Sequence, residues 1–280
     1  MSHMKSQSSG CFDADVWRQL AAFAAATFGW TWGIAAVLSI WEPEASTVVA
    51  LLFGVAVFGP SVIGVALTAH FQGRSGVMSL WRRATRWRVD VRWYAVVLLL
   101  LPVLILVAGA VQSAQAGGTL LAASASVWPV IILGSLALGP LGEELGWRGF
   151  ALPRLMALMP PLPASVLLGV AWGAWHWPAF WLGVPPFDSI SPVPHMIGAV
   201  LMSIIITGIY MGTGRSVLVS GILVHTVVNA SMAILHVSLW TVVAAEALAA
   251  LVVVIMTGPT WWARRAAPTV TAVPVGSSAQ

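Results

Sequence analysis

Residues 93–112 read WYAVVLLLLPVLILVAGAVQ, a run in which no side chain is charged. At 1.5 Å of rise per residue, a helix of this length is about 30 Å long, the thickness of a bilayer's hydrocarbon core. The apolar residues are continuous rather than alternating, which is the pattern of a membrane helix and not of a barrel strand. Comparable windows occur on the N-terminal side at 17–40 and 47–70. On the C-terminal side they occur at 127–145, 164–182, 194–212, 216–237 and 239–258. The expected fold is therefore all-α, a polytopic transmembrane helical bundle of about eight helices. Composition agrees: with 59% hydrophobic and 8% charged residues, the chain lacks the charge that covers a water-soluble domain.

Three stretches are expected along the chain. Residues 1–15 form a polar segment, expected to be disordered and too polar for the core of a signal peptide, so the first apolar span is expected to be retained. Residues 16–266 form the transmembrane domain, and 267–280, with Pro268, Pro274 and no hydrophobic periodicity, form a disordered tail. No repeat of fixed period is visible, which removes the simplest case for an inverted-repeat transporter. The lone cysteine, Cys11, leaves neither a disulfide framework nor a cysteine metal site.

The net charge of +4 does not point to nucleic acid, because the basic residues stand beside or between apolar spans, where they set topology. With the N-terminus in the cytoplasm and an even number of spans, every Lys and Arg falls on the cytoplasmic side. Glu42, Glu44 and Asp188 then fall outside. Both termini are expected to be cytoplasmic, in a prokaryotic inner membrane. Between Gly73 and Tyr94, Arg82, Arg83, Arg86, Arg88 and Arg92 interleave with Trp81, Trp87 and Trp93. That pattern suits an interfacial anchor whose cations meet anionic headgroups, so membrane lipids are expected partners.

Polar residues at membrane depth cost at least ~2.5–3.5 kcal/mol on insertion scales, and each calls for a partner or a function. They cluster in three spans. The fourth ends Gly139-Pro140-Leu141-Gly142-Glu143-Glu144-Leu145-Gly146-Trp147-Arg148, the fifth holds Trp172 and His176, and the seventh holds His225 and Asn229. Consecutive helical residues point about 100° apart, so Glu143 and Glu144 cannot both face one cavity. Glu144 and Arg148 stand at i and i+4 in the orientation that favours an ion pair. Glu143 is left without a local counter-ion, which suits a general base. His225 and Asn229 share one helix face, and His176 lies at a similar depth. Trp172 shares a face with His176 and is expected to fix its rotamer. Two chemistries are open: Glu143, His176 and His225 holding a divalent metal such as zinc, or Glu143 activating water while His and Asn bind the oxyanion. His70, His195 and His236 are read as ordinary hydrogen-bonding histidines. Glu246, alone in the eighth span, is either structural or a second functional carboxylate.

These three clusters resemble the CPBP family of intramembrane proteases, which joins type II CAAX prenyl endopeptidases with bacteriocin-processing and self-immunity (Abi) proteins. The family pattern E-E-x-x-x-R, aromatic-x-x-x-H and H-x-x-x-N, each on its own helix, is matched here by Glu143, Glu144 and Arg148, by Trp172 and His176, and by His225 and Asn229. Trp172 stands where Phe is commoner. The resemblance covers about 128–231. It implies an intramembrane endopeptidase in which Glu143 activates water, His176, His225 and Asn229 orient it or stabilise the tetrahedral intermediate, and Glu144 and Arg148 support them. It implies a peptide or small membrane-protein substrate, lipidated or membrane-associated, and leaves the metal requirement open. The alternative it carries is a non-catalytic scaffold or bacteriocin self-immunity protein that keeps the protease fold.

Overall fold

The structure, a computed structural model, describes residues 2–41, 46–184, 187–258 and 262–263. Its helices are α1 (Ser2–Trp41), α2 (Ser46–Val57), α3 (Gly59–Ala84), α4 (Val91–Ala95), α5 (Leu101–Ala116), α6 (Trp128–Ala137) and α7 (Pro140–Gly146). They continue with α8 (Leu152–Leu158), α9 (Pro161–Trp175), α10 (Trp177–Trp181), α11 (Pro192–Gly212), α12 (Val224–Ile234) and α13 (Leu239–Thr257). Among the described residues there is no strand, only an isolated antiparallel bridge between Leu121 and Leu235. The chain is a polytopic helical membrane protein.

Not every expected span is one straight helix. Five helical segments among the described residues are long and apolar enough to cross a bilayer, or six if the bent pair of α2 and α3 counts as one span. The windows at 164–182 and 216–237 fall short for local reasons. Helix α9 ends at Trp175 because Pro178 lacks an amide hydrogen and its ring would meet the carbonyl one turn back, so His176 becomes the joint between α9 and α10. Before α12 the chain widens into a π-helical segment, Leu218–Leu223. Helix α1 begins at Ser2, so the polar stretch expected to be disordered forms its first turns. The tail from 264 onward lies outside the described residues.

Small residues let the helices that bear the motif approach closely. Gly142 and Gly146 are one turn apart on α7 and abut the junction of α2 and α3: a Cβ on Gly142 would stand 2.7 Å from the Val57 carbonyl oxygen at the end of α2, while one on Gly146 would strike that of Pro60 in α3. Gly169 and Gly173 do the same between α9 and α11, where added Cβ atoms would come 2.6 Å from Val200 Cα and 2.7 Å from Met196 Sδ. Close backbone approach of this kind is how helices associate in lipid, which offers no hydrophobic drive between them. The buried core includes Phe23, Trp93, Trp147, Phe150, Ile205 and Tyr210. Arg83 ties its helices together, donating to the Tyr210 hydroxyl and the Gly149 carbonyl at 3.0 Å each.

Candidate active site

Glu143, His176 and His225 sit at irregularities in their helices. The fourth span breaks at Leu138 and Gly139, where Gly139 has φ 132° and ψ −88°, a conformation closed to ordinary L-residues. Pro140 then opens α7, since the first turn needs no amide hydrogen from it. This places Glu143 in the first turn of a new helix. A π-helical segment, Trp147–Ala151, follows α7 directly. His176 is the α9–α10 joint, and His225 comes just after the π-helical segment that precedes α12. Broken and widened helices of this kind occur in membrane proteins where they line a cavity rather than face lipid.

The two glutamates diverge as the helical geometry requires. Glu144 is fully buried, and its Oε1 accepts from Arg148 Nη1 at 2.8 Å and from His225 Nδ1 at 3.0 Å. The i,i+4 ion pair anticipated in the fourth span is present, joining α7 to the π-helical segment after it, and it extends to α12. Gly221 makes room for it, because a Cβ there would stand 2.5 Å from Glu144 Oε2. Glu143 faces the other way, into a cavity of about 620 Å³ that is also lined by Trp172, His176, His225 and Asn229.

Trp172 does more than fix a histidine. Its indole N–H donates to Glu143 Oε2 at 2.5 Å, its carbonyl accepts from His176 Nδ1 at 2.9 Å, and its ring lies 4.3 Å from the Arg148 guanidinium carbon. A neutral donor thus holds Glu143 without becoming its counter-ion. Because a carbonyl only accepts, His176 carries its hydrogen on Nδ1 and presents an Nε2 lone pair. His225, which donates Nδ1 to Glu144, likewise turns Nε2 inward.

Three polar atoms converge beside the helix break. The position a Cβ would take on Gly139 is 3.4 Å from His225 Nε2, 3.4 Å from Asn229 Nδ2 and 3.5 Å from Glu143 Oε1, so any two of them lie within about 7 Å of each other. The absence of a side chain at Gly139 keeps that space open. A carboxylate able to take a proton from water, an acceptor or donor imidazole and a carboxamide donor around one space are the parts needed to attack a carbonyl and hold the resulting oxyanion. Among the described residues no three His, Cys, Asp or Glu side chains form a group placed to hold a metal ion.

Comparison with known proteins agrees with the motifs. The family model described as type II CAAX prenyl endopeptidase Rce1-like matches residues 123–231. A protein of Methanococcus maripaludis named CAAX prenyl protease 2 is 28% identical over 173 residues. Residues 123–231 are thus similar to Rce1-like type II CAAX prenyl endopeptidases. The aligned region spans 54% of this chain and 59% of that relative, so α1 to α5 fall outside the family match, which begins at 123.

The cavity also draws in residues that carry no motif in the sequence. His195 lines the same cavity, with its ring centroid 4.8 Å from that of His176 and its Nε2 buried without a hydrogen-bond partner among the described residues. Phe187 stacks on His176 at 5.5 Å, and Trp175, whose indole donates to Thr31 Oγ1 at 2.9 Å, covers another edge. Glu246 lines the cavity as well. His195 stands at the start of a span and has no motif neighbour, so only the packing of α11 against α9 reveals it. His236, by contrast, meets Thr119 at 3.4 Å, and His70 packs on Phe71. Neither is among the residues lining the cavity.

Proposed function

We propose that this protein is an intramembrane endopeptidase that hydrolyses a peptide bond with water activated by Glu143. The observation that carries this reading is the convergence of Glu143 Oε1, His225 Nε2 and Asn229 Nδ2 beside Gly139 inside a mostly apolar cavity. Glu143 takes a proton from water as the water oxygen bonds to the scissile carbonyl carbon. The His176 Nε2 lone pair accepts the water's other hydrogen and orients it. Asn229 Nδ2 donates to the carbonyl oxygen as it becomes an oxyanion, and His225 Nε2 joins it when it carries a proton. Removing a single donor of this kind typically costs 10²–10³ in rate. When the tetrahedral intermediate collapses, the C–N bond breaks and Glu143 passes its proton to the leaving amine. Glu144 and Arg148 hold His225 in place, and Trp172 holds Glu143.

The relative's name points to a prenylated C-terminus as one substrate. The wall of Ile34, Leu38, Phe53, Met202 and Val237 suits an apolar segment of any lipidated or membrane-embedded peptide. Under the same reading both termini are cytoplasmic in a prokaryotic inner membrane, and the basic, Trp-rich loop before α4 rests on anionic lipid. The test is cleavage of a membrane-peptide library by the chain in nanodiscs, alongside Glu143→Gln, His225→Ala and Asn229→Ala, with and without a chelator. The proposal expects peptides cut by the parent, no cleavage by Glu143→Gln and losses of 10²-fold or more in the other two. Full cleavage by all three variants would overturn the assignment. Loss of the parent's activity in chelator would move water activation to a metal held by Glu143, His176 and His225. Binding of a peptide without turnover by the parent would favour the scaffold alternative.

A further inference from the structure

The cavity contains an acid that the hydrolytic scheme leaves unused. Glu246 lies in α13, where every neighbour from Val242 to Val253 is Val, Ala or Leu. It is 3% exposed, and its Oε2 has no hydrogen-bond partner among the described residues. The facing helix leaves it room: a Cβ on Gly198 would stand 3.1 Å from Oε2, tighter than ordinary van der Waals contact, so a glycine at that position keeps the approach to the carboxyl clear. No Lys or Arg lines the cavity, and its other ionisable groups are Glu143, His176, His195 and His225. Arg148, a buried cation outside the cavity lining, pairs through Nη1 with Glu144.

We propose that Glu246 is a specificity-determining residue, forming a subsite that receives a primary ammonium group of the peptide substrate. A buried carboxyl without a partner calls for a donor, and a cavity with two acids and no Lys or Arg favours a cationic one. The surrounding wall suits the rest of such a group, because the methylene stem of a lysine lies well on Val242, Leu239 and Met202 while its charge reaches Glu246. The proposal rests on the endopeptidase reading for its substrate, but the subsite can be tested without turnover.

Dicyclohexylcarbodiimide, which modifies carboxyl groups in apolar surroundings, is applied to the intact chain in nanodiscs, and labelling at Glu246 is read by mass spectrometry. Octylammonium is expected to reduce that labelling several-fold while the same concentration of octanol does not. Equal protection by both, protection by neither, or no labelling of Glu246 in the free chain overturns the subsite. In the second arm, a cleaved library peptide containing Lys is compared with the same peptide carrying norleucine. Glu246→Gln is expected to raise KM for the Lys peptide about tenfold, leaving kcat and the norleucine peptide unchanged. A loss shared by both peptides reduces Glu246 to a structural residue. If the parent cuts no peptide, the endopeptidase reading fails on its own, and the labelling arm still decides the subsite.

Discussion

Glu144 and Glu246 are both carboxylates buried at membrane depth, and their surroundings are opposite. Glu144 accepts from Arg148 and His225, groups that belong to two different helices. Both acids leave Oε2 without a hydrogen-bond partner among the described residues, but Glu246 also lacks any ion pair there and has a cavity in front of it. The first acid is part of the scaffold, since removing it strands a buried guanidinium and releases a cavity-facing imidazole. The second can be removed without stranding anything, which is what a group awaiting an external partner looks like. Burial alone therefore does not separate structural from functional acids, whereas the inventory of partners does.

The sharpest way to break this contrast is Glu144→Ala. Leaving Arg148 buried and unpaired should destabilise the protein by ~3–5 kcal/mol, measured by denaturation in micelles, and a loss below ~1 kcal/mol would remove Glu144 from the scaffold. Next is Gly139→Ala, which forces a side chain into a positive-φ position and into the space shared by Glu143, His225 and Asn229. Strain of ~1–3 kcal/mol combined with that obstruction should lower kcat about 100-fold or more, read in the peptide assay. Trp172→Phe keeps the ring over Arg148 and removes only the donor to Glu143. A hydrogen bond to a charged group is worth ~1.5–3 kcal/mol, so kcat/KM should fall by at least about tenfold, with unfolding changed by less than ~1 kcal/mol. The smallest effect on stability belongs to Glu246→Gln, under ~1 kcal/mol in either direction in the same denaturation assay. A large loss there would show that Glu246 has a structural partner after all.

Much of the fold was legible because lipid imposes a simple rule, and apolar runs of about twenty residues obey it. The Glu144–Arg148 pair was legible because i,i+4 geometry is local. What escaped depends on how separate helices meet. The window at 127–145 reads as one continuous span, although Gly139-Pro140 marks the break that lets Glu143 start a new helix. Nothing in the sequence sets the rotational register that brings His225 onto Glu144, the Trp172 indole onto Glu143, or His195 against His176. Likewise, the run Leu-Val-Ser-Gly-Ile-Leu at 218–223 reads as ordinary helix, yet it forms the π-helical segment that precedes His225.

The most direct test is the rate at which a library peptide cut by the parent is hydrolysed by Glu143→Gln, with folding verified by an unchanged denaturation midpoint. Cleavage abolished in a folded variant is the predicted result. Hydrolysis at the parent's rate would contradict the assignment of Glu143 as the base that activates water.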